Sequence, residues 1–519
     1  MTGKPRNAPA AWALAGGLVS LVLALALFDP FLFTGGDNAA YYALTKALGE
    51  GRGYVDLVHP GAPPETQYPP GFPLLLVPLY WLSGGSMMAL KLGSIAAGGV
   101  LLWAVWALAR RDPAVPGWAA AAAVWLVGLY PVFLAYTHWV LSDMAFTAIV
   151  MVALWAFADG HAPSDQEGGE EPGGEIDPRW IGACAIAVAA FYVRIPGAAL
   201  LLAAAIVPAI HGLWKRAGAA AAVAVLGTLP WILWTRQGPP ETGGYLDQLL
   251  ASNPQNPESP SIGAAGLVGR VLHNVGHYAT VELPRLFWPA DPPDAIVLLA
   301  LPVGAGLIVY GAVRAIRTRG IAVADAWAAI TLALLAVWPW IGDRFFLTVV
   351  PLLWLYTLVG MDHLSRRVAD TVWPARIAAA ALAAVLLAGA ALQAPDRWKR
   401  LRDYLDGRDL AGYSARWQDY FLAAEWVGDN APDAVILARK PSFAWYWSRR
   451  PSLVYPFHGD PDRTWEFLRE HGVTHILLDP GTELFLRQTL RRHVERVELD
   501  FAAPHRIVYV ARISPPEAP

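Results

Sequence analysis

Long apolar stretches separated by short polar connections dominate the first three quarters of this 519-residue chain. Eleven of them are long enough, or nearly long enough, to cross a bilayer as a helix, which takes about 20 apolar residues. They run over 10–33, 86–109, 117–136, 140–158, 179–193, 195–211, 217–235, 294–313, 321–341, 344–361 and 374–394. The pattern predicts a multi-pass α-helical membrane protein with about 11 transmembrane helices.

Clustered basic residues mark one side of this arrangement. With eleven spans, the basic connections all fall on that side: Lys4/Arg6, Arg110/Arg111, Lys215/Arg216, Arg314/Arg317/Arg319 and Arg366/Arg367. The positive-inside rule places this side, and the N-terminus, in the cytoplasm. A twelfth span over 72–83 would break the agreement, and about a dozen residues are too few to cross. We expect a juxtamembrane or re-entrant helix there.

Three polar segments then face outward: loop 34–70, loop 236–293 and the tail 395–519. The first apolar run follows Lys4 and Arg6 and is compatible with a cleaved signal peptide, but its length and the many later spans favour an uncleaved anchor. We therefore expect a protein of the inner (plasma) membrane, with a transmembrane domain over 1–394 and an extracytoplasmic, periplasmic domain over 395–519.

Composition supports this division. The chain is 55% hydrophobic and only 16% charged, which excludes a wholly soluble protein. The last 125 residues hold 36 of the 81 charged residues, whereas the first 394 hold 45. A net charge of −3 argues against nucleic acid as a partner. The one cysteine, Cys184, excludes an intrachain disulfide and any multi-cysteine metal site.

The tail has the pattern of a small α/β domain. Alternating apolar runs predict strands over 434–440, 474–479, 494–501 and 506–513, and helices are expected over 420–427, 461–471 and 483–492. It contains neither a glycine-rich phosphate loop nor a nucleophile elbow. We therefore expect it to act as a scaffold or to bind the acceptor.

Four ionisable residues lie at the predicted outer ends of the spans, where charge is costly. They are Asp37, Asp143, Arg194 and Arg344. Each has an ordinary structural interpretation: Asp37 as the N-cap of the following helix, Asp143 as a cap or a partner of His138, and the arginines as side chains that reach the lipid headgroups. Two acids and two arginines at one depth on one face favour a functional site instead.

This set of residues suits one kind of chemistry. A sugar linked to phosphate already has a good leaving group, so the enzyme needs cations to hold the departing phosphate, and arginine suits that task. A carboxylate must also orient and deprotonate the acceptor hydroxyl, and Asp37 in its Gly-Gly-Asp loop fits this role. A glycosidase would need one protonated carboxyl, which adjacent arginines disfavour. These considerations favour transfer over hydrolysis.

Several segments together resemble a known family of enzymes. GGDNAAYYALTKALGEGRGY, QYPPGFPLLLVPLYWLSG, LSDMAF, FYVRIPGAALLLAA and GDRFFLTVVPLLWLY occur in that order in the chain. They resemble the GT-C glycosyltransferases of the dolichyl-phosphate-mannose-protein mannosyltransferase and ArnT-like type, over most of 10–395. The resemblance implies an inverting transferase that uses a polyprenyl-phosphate sugar and carries an extracytoplasmic C-terminal domain.

The resemblance also implies roles for single residues. The catalytic base of the family falls on Asp37, and its second acidic position falls on Asp143, which would position the acceptor or support Asp37. The arginines that face the lipid phosphate correspond to Arg194 and Arg344. ArnT-like members commonly have a lysine before the proline of the helix after the first loop, whereas Gln67 and Tyr68 precede Pro69 here, which weakens any transfer of aminoarabinose specificity.

Further residues are candidates for lining the substrate cleft: Tyr41, Tyr68, His138, Glu282 and Arg285. An aromatic belt at the membrane interface is the favoured interpretation of Tyr41, Tyr42, Tyr136 and Trp139. His273 and His277 have the i, i+4 spacing of metal ligands, but no acid or cysteine accompanies them, so we predict neither a metal site nor a cofactor. For the aromatic stretch 444–450, the sequence does not decide between the cleft and the membrane surface.

Two other functions remain open: a transporter or flippase, and an oligosaccharide ligase that uses a lipid-linked chain. A transporter would normally hold its charges near the bilayer midplane and show internal repeats; we find no repeat. The expected partners are a polyprenyl-phosphate sugar donor, membrane lipids and a lipid, glycan or protein acceptor. Neither the sugar nor the acceptor can be read from the sequence.

Overall fold

The computed structural model describes residues 8–158, 177–238, 245–254, 259–289, 291–456, 459–482 and 484–514. These residues form a mostly helical body and one small sheet near the C-terminus. The prediction of a multi-pass helical membrane protein with a C-terminal α/β region is confirmed at this level.

The described helices are, in chain order, α1 Ala8–Ala26, α2 Asn38–Gly49, α3 Gly71–Ser83, α4 Met87–Arg111, α5 Gly117–Leu129, α6 Pro131–Tyr136, α7 Ser142–Ala158, α8 Pro178–Val193, α9 Ala198–Ile210, α10 Trp214–Trp234, α11 Tyr245–Leu250, α12 Ala264–His277, α13 Leu283–Phe287, α14 Asp294–Leu299, α15 Gly306–Arg319, α16 Val323–Val337, α17 Asp343–Phe346, α18 Val350–Ala369, α19 Trp373–Leu405, α20 Ala415–Asn430, α21 Pro441–Ser448, α22 Pro461–Glu470 and α23 Leu484–Arg492.

Five described stretches are long and apolar enough to cross a membrane: Ala8–Ala26, Met87–Arg111, Trp214–Gln237, Asp294–Arg319 and Trp373–Leu405. Shorter apolar helices accompany them, among them α5, α7, α8, α9 and α16. Many side chains on the long helices remain exposed, as expected where lipid replaces water as the surrounding solvent.

Glycines allow α15 and α18 to approach closely. A Cβ atom at Gly311 would lie 1.8 Å from the carbonyl oxygen of Tyr356, and one at Gly360 would lie 2.6 Å from that of Leu307. Small residues at such contacts are the usual means by which membrane helices pack. This contact involves the middle of α18, and the short helix α17 just before α18 carries Arg344.

The first outer segment packs against the C-terminal region. α2 is buried between α3 on one side and α21 on the other. The backbone N–H of Ser452 donates to the carbonyl oxygen of Val58 at 2.7 Å, and the hydroxyl of Tyr413 accepts from the N–H of Leu32 at 2.7 Å. The loop that carries Asp37 is therefore held from both the membrane body and the C-terminal region.

The C-terminal sheet has five strands: β1 Ile436–Leu437, β2 Ser452–Leu453, β3 His475–Leu478, β4 Val497–Ala502 and β5 Tyr509–Ile513. Their order is β2-β1-β3-β5-β4. β1 is parallel to both β2 and β3, while β5 is antiparallel to β3 and β4. The aromatic residues of α20 and α21 stack on one another beside the sheet, with Phe421 and Trp447 ring centroids 5.0 Å apart.

Some predicted elements differ from the structure. The apolar run 117–136 is divided between α5 and α6, because Pro131 lacks the N–H that would continue the first helix. The last apolar run is predicted to end at residue 394, but α19 continues to Leu405. Hydropathy marks the part of a helix that is apolar, and a helix can continue beyond that part with polar residues. Of the predicted strand 434–440, only Ile436–Leu437 forms a strand, β1, and helix α21 begins directly after residue 440.

Candidate active site

Arg344 bridges the two carboxylates that the sequence singled out. Its Nη1 donates to Oδ2 of Asp37 at 3.0 Å, and its Nε lies 3.2 Å and 3.1 Å from Oδ1 and Oδ2 of Asp143. Arg194 forms a second ion pair with Asp143. Four residues that lie far apart in the chain thus form one charged cluster.

A tight turn before α2 positions Asp37. The side-chain oxygen of Asn38 accepts from the N–H of Val140 at 2.8 Å, and its amide donates to the carbonyl oxygen of Phe33 at 3.0 Å. Space is limited at Gly36, where a Cβ atom would lie 3.1 Å from Leu141. Asp37 occupies the N-cap position, but its side chain makes no capping hydrogen bond and turns to Arg344 instead.

Asp143 lies in the first turn of α7 and is fully buried. A buried carboxylate needs charged partners, because desolvation otherwise disfavours its ionised form. Arg194 reaches it from the residue that ends α8, and Arg344 from α17. The guanidinium of Arg194 also lies 5.8 Å from the ring centroid of Phe345, which walls the cluster on one side.

The backbone before Arg344 requires glycine. Gly342 has φ of 142°, a conformation that residues with a Cβ atom rarely adopt. The next residue, Asp343, accepts a hydrogen bond from the hydroxyl of Tyr136 at 3.1 Å. Together these features hold α17 so that Arg344 points at the two carboxylates.

The charges around Asp37 keep it ionised. Burial raises the pKa of Asp37, but Arg344, and more weakly Lys440, outweigh that effect and hold the pKa below its ordinary value. The hydroxyl of Tyr68 also donates a hydrogen bond to this carboxylate. An ionised carboxylate can accept a proton from a hydroxyl, which is what a general base must do.

Two of the predicted cleft residues lie next to the cluster. Tyr41 is buried, shares a hydrogen bond of 2.8 Å with Ser142, and its ring centroid lies 5.2 Å from that of Tyr68. Tyr68 is placed by Glu65, a buried residue that sequence reasoning missed, whose Oε1 accepts from the N–H of Tyr68 at 2.9 Å. Burial raises the pKa of Glu65 to about 7.

His138 does not pair with Asp143. Its Nε2 lies 2.7 Å from the carbonyl oxygen of Ala24 at the end of α1, and the imidazole is buried. The alternative interpretation of Asp143 as a partner of His138 is therefore excluded. The reason is geometric: the turn between α6 and α7 directs the ring toward α1 and leaves Asp143 to the two arginines.

Glu282 and Arg285 lie near α17. Nη1 of Arg285 is 3.5 Å from Oε1 of Glu282, and Nε2 of His277 is 3.3 Å from the same oxygen. Burial has the larger effect on Glu282 and the negative charge of Asp343 adds to it, so that the pKa of Glu282 is raised to about 7.

His273 is exposed, and among the described residues no group of three or more His, Cys, Asp or Glu side chains could hold a metal ion.

Sequence reasoning also missed contributions from the C-terminal region. Lys440, the residue before α21, interacts electrostatically with both Asp37 and Arg344. The aromatic stretch 444–450 faces α2, and the ring centroids of Tyr42 and Tyr446 are 5.2 Å apart. Nothing in the local sequence pattern marks Lys440, because its importance comes only from the docking of one region on the other.

A cavity of about 460 Å³ adjoins the loop that carries Asp37. Its walls come from the end of α1, the connection between α6 and α7, the end of α19 and the start of α20; they include Phe31, Phe33, Thr34, Trp139, Gln393, Arg397, Arg400, Tyr413 and Trp417. Arg397 and Arg400 both pair with Asp29, at 2.6 Å and 3.0 Å. The cavity therefore offers aromatic faces next to polar groups.

Comparisons with known proteins find relatives by structure only. Neither a protein-family model nor a curated protein sequence matches the chain. ArnT from Cupriavidus metallidurans, solved with undecaprenyl phosphate bound, has a TM-score of 0.58 at 16% identity, over 97% of this chain and 98% of its own. The oligosaccharyltransferase AglB from Archaeoglobus fulgidus, solved with an inhibitory peptide and a dolichol-phosphate, has a TM-score of 0.57 at 13% identity, over 98% of this chain and 75% of its own. Both are GT-C glycosyltransferases, and this chain has their fold.

Proposed function

We propose that this protein is an inverting glycosyltransferase, which moves a sugar from a polyprenyl-phosphate carrier to an acceptor hydroxyl at the outer face of the membrane. The observation that carries the proposal is the bridge of Arg344 between Asp37 and Asp143. The bridge, together with the ion pair of Arg194 with Asp143, places two carboxylates and two guanidinium groups together, and the reaction needs both kinds of group. The fold shared with ArnT and AglB supports it.

In this mechanism Asp37 accepts the proton of the acceptor hydroxyl. The hydroxyl oxygen attacks the anomeric carbon from the face opposite the phosphate, and the bond from that carbon to the phosphate oxygen breaks. The electron pair stays on the phosphate, where Arg344 and Arg194 stabilise the growing negative charge. Asp143 orients the two arginines by pairing with both.

Binding of the donor would also prepare the base. Before the donor binds, Arg344 holds the pKa of Asp37 below its ordinary value. A phosphate that takes part of the hydrogen bonding of Arg344 weakens its hold on Asp37, and the carboxylate becomes a stronger base. The base is thus at its most effective when the leaving group is in place.

We place the acceptor in the cavity beside Phe33 and Trp139, whose rings are stacked with centroids 3.6 Å apart. Aromatic faces suit the apolar faces of sugar rings, and the surrounding polar groups suit hydroxyls. The cavity borders the loop that holds Asp37 through Phe33 and Thr34, which supports its choice as the acceptor site.

We further propose an eleven-span topology with a cytoplasmic N-terminus and an extracytoplasmic C-terminal domain in the inner membrane. The five long stretches, the helices α5, α7, α8, α9 and α16, and the less apolar α18 correspond to the eleven predicted spans. In this topology α3 lies at the outer surface, and the charged cluster lies at the outer ends of α1, α7, α8 and α16.

The test uses the purified protein in liposomes with lipid-linked sugars and envelope acceptors extracted from the source organism. Release of free polyprenyl phosphate reports transfer without knowledge of the sugar. We expect Asp37→Asn to lower the rate at least about 100-fold, because general bases contribute about 10²–10⁴. Full activity in that variant would remove Asp37 from the role of base. Movement of lipid-linked sugar across the bilayer without product would favour the flippase alternative.

A further inference from the structure

The backbone of Lys440 is fixed at the edge of the candidate site. The hydroxyl of the buried Tyr420 accepts from the N–H of Lys440 at 3.2 Å and donates to its carbonyl oxygen at 3.0 Å. Lys440 is the N-cap residue of α21, and its side chain makes no capping hydrogen bond. The backbone of Lys440 is therefore held in a defined position, and its long side chain can extend away from the helix.

Helix α21 packs on α2, and each of these helices follows a charged residue of the candidate site. Tyr42 on α2 contacts Tyr446 and Trp445 on α21, at ring-centroid distances of 5.2 Å and 6.4 Å. Asp37 precedes the first residue of α2, and Lys440 precedes the first residue of α21. This arrangement explains why the ammonium group interacts electrostatically with Asp37 and Arg344.

The ammonium group of Lys440 forms no hydrogen bond or ion pair with another residue in the described part of the chain. Its neighbour Arg439 differs, because Nε of Arg439 donates to Asp479 at 3.0 Å. Burial lowers the pKa of Lys440, whereas Asp37 raises it. A partly buried cation without a directly paired counterion is unfavourable, and an anion that reaches both Lys440 and Arg344 would reduce that cost.

We propose that Lys440 binds the phosphate of the polyprenyl carrier together with Arg344, so that the C-terminal region supplies part of the active site. This inference rests on the proposed function. Among the described residues at the cluster, Arg194, Arg344 and Lys440 carry three positive charges, against two negative charges on Asp37 and Asp143. Asp343, the neighbour of Arg344, accepts from the hydroxyl of Tyr136, and the three cations together suit an anionic ligand.

The chemistry of the leaving group explains what this cation would contribute. A sugar-linked phosphate is a diester with one negative charge, and the released polyprenyl phosphate carries close to two at neutral pH. When the sugar leaves, the phosphate oxygen keeps the electron pair of the broken bond. Lys440 retains its proton and donates hydrogen bonds to that oxygen or its neighbours. Such a cation stabilises the transition state more than the bound donor, so it increases the rate.

The experiment measures binding of undecaprenyl phosphate and of uncharged undecaprenol to the full-length protein in phosphatidylcholine nanodiscs. Lys440→Met should weaken binding of the phosphate about tenfold, the loss expected for one charge-assisted hydrogen bond, and leave binding of the alcohol unchanged. Lys440→Arg should keep the affinity within about threefold, because it preserves the charge. Lys399→Met is the matched control, since Lys399 is an exposed lysine on α19, and should change neither affinity.

Three outcomes would overturn the inference. Unchanged phosphate binding in Lys440→Met, together with weaker binding in Arg344→Met, would exclude Lys440 and leave the proposed function intact. Equal losses for phosphate and alcohol in Lys440→Met would indicate a structural role. Equal affinity of the unaltered protein for phosphate and alcohol would overturn both the inference and the proposed function.

Discussion

Among the described residues, Asp143 and Asp479 are buried aspartates that are each held by two arginines, and of these two only Asp143 lies in the candidate active site. Asp143 pairs with Arg194 and Arg344 at the membrane body. Asp479, at the end of β3, accepts from Arg416 at 2.9 Å and from Arg439 at 3.0 Å. We call these the body cluster and the tail cluster.

The two clusters differ in what surrounds them. The body cluster includes a second, partly exposed carboxylate, Asp37, and the cation Lys440 without an ion-pair partner among the described residues. In the tail cluster, the hydroxyl of Thr482 accepts from the backbone N–H of Asp479 and donates to its carboxylate, and the guanidinium of Arg439 lies 5.4 Å from the ring centroid of Trp417. A buried aspartate with two arginines is therefore not in itself a sign of function. The extra, incompletely paired charges are what distinguish the body cluster.

The largest expected contrast concerns the arginines. Arg344→Lys keeps the charge but cannot contact Asp37 and Asp143 at once, because an ammonium lacks the planar fork of a guanidinium. We expect transfer to fall about 100-fold, the size of effect seen when an oriented donor is lost. Arg416→Lys in the tail cluster should change the rate less than about twofold. Equal losses in the two variants would remove the distinction between the clusters.

The aspartate of the tail cluster should affect stability and not activity. Asp479→Asn leaves Arg416 and Arg439 without their counterion, which we expect to cost about 3 kcal/mol. Thermal inactivation of the full chain measures the loss, and the rate per folded molecule should stay unchanged. Asp462→Asn is the control: its pair with Arg492 is exposed, so the change should stay below about 1 kcal/mol. A lower rate in folded Asp479→Asn would make the tail cluster part of the catalytic machinery.

Both clusters should lose stability in acid. The pKa values of Asp37 and Asp479 are lowered: burial opposes this, but Arg344 outweighs it for Asp37, and Arg416 and Arg439 outweigh it for Asp479. Each carboxylate therefore stabilises the fold fully above its unfolded pKa, about 3.9, and loses that contribution as the pH falls through the lower folded value. The fall in thermal midpoint below about pH 4 should be shallower in Asp479→Asn. An unchanged slope would contradict the lowered pKa.

The smallest expected effect concerns Tyr68, which donates to Asp37. Tyr68→Phe removes one hydrogen bond, so we expect the rate of transfer to fall about fivefold, equivalent to about 1 kcal/mol. Tyr310→Phe removes a hydrogen bond to His363, on a helix pair remote from the cluster, and should leave the rate unchanged. A rate for Tyr68→Phe equal to that of the unaltered protein would mean that this hydroxyl does not support the base.

The local pattern of hydrophobic and polar residues predicted the helices and the common depth of the four cluster residues. The hydropathy of each apolar run indicates its burial in lipid, so α4, α7, α8 and α19 begin within two residues of the predicted starts. The shared depth of Asp37, Asp143, Arg194 and Arg344 followed from counting spans. The partner of His138 did not follow, because the direction of a side chain depends on a turn whose geometry the pattern does not specify.

Interactions between residues that are hundreds of positions apart in the chain could be identified only from the tertiary structure. Lys440 lies in a stretch with the pattern of a strand end, and its electrostatic interaction with Asp37 depends on the packing of α21 on α2. Glu65 likewise has no distinguishing feature in the sequence. Only the structure shows that it is buried and accepts a hydrogen bond from the N–H of Tyr68. Sequence reasoning assigned the tail a scaffold or acceptor role, whereas the proposed role of Lys440 in binding the donor depends on how the two regions dock.

The sequence by itself determined the class of protein, because crossing a bilayer requires apolar helices whose length and spacing can be counted directly. It also limited the chemistry, since few charges are tolerated near lipid and those few can be enumerated. Only the tertiary structure decided which charges pair and which remain without a partner. That outcome depends on distances of a few ångströms between distant segments, and no local pattern of hydrophobic and polar residues specifies those distances.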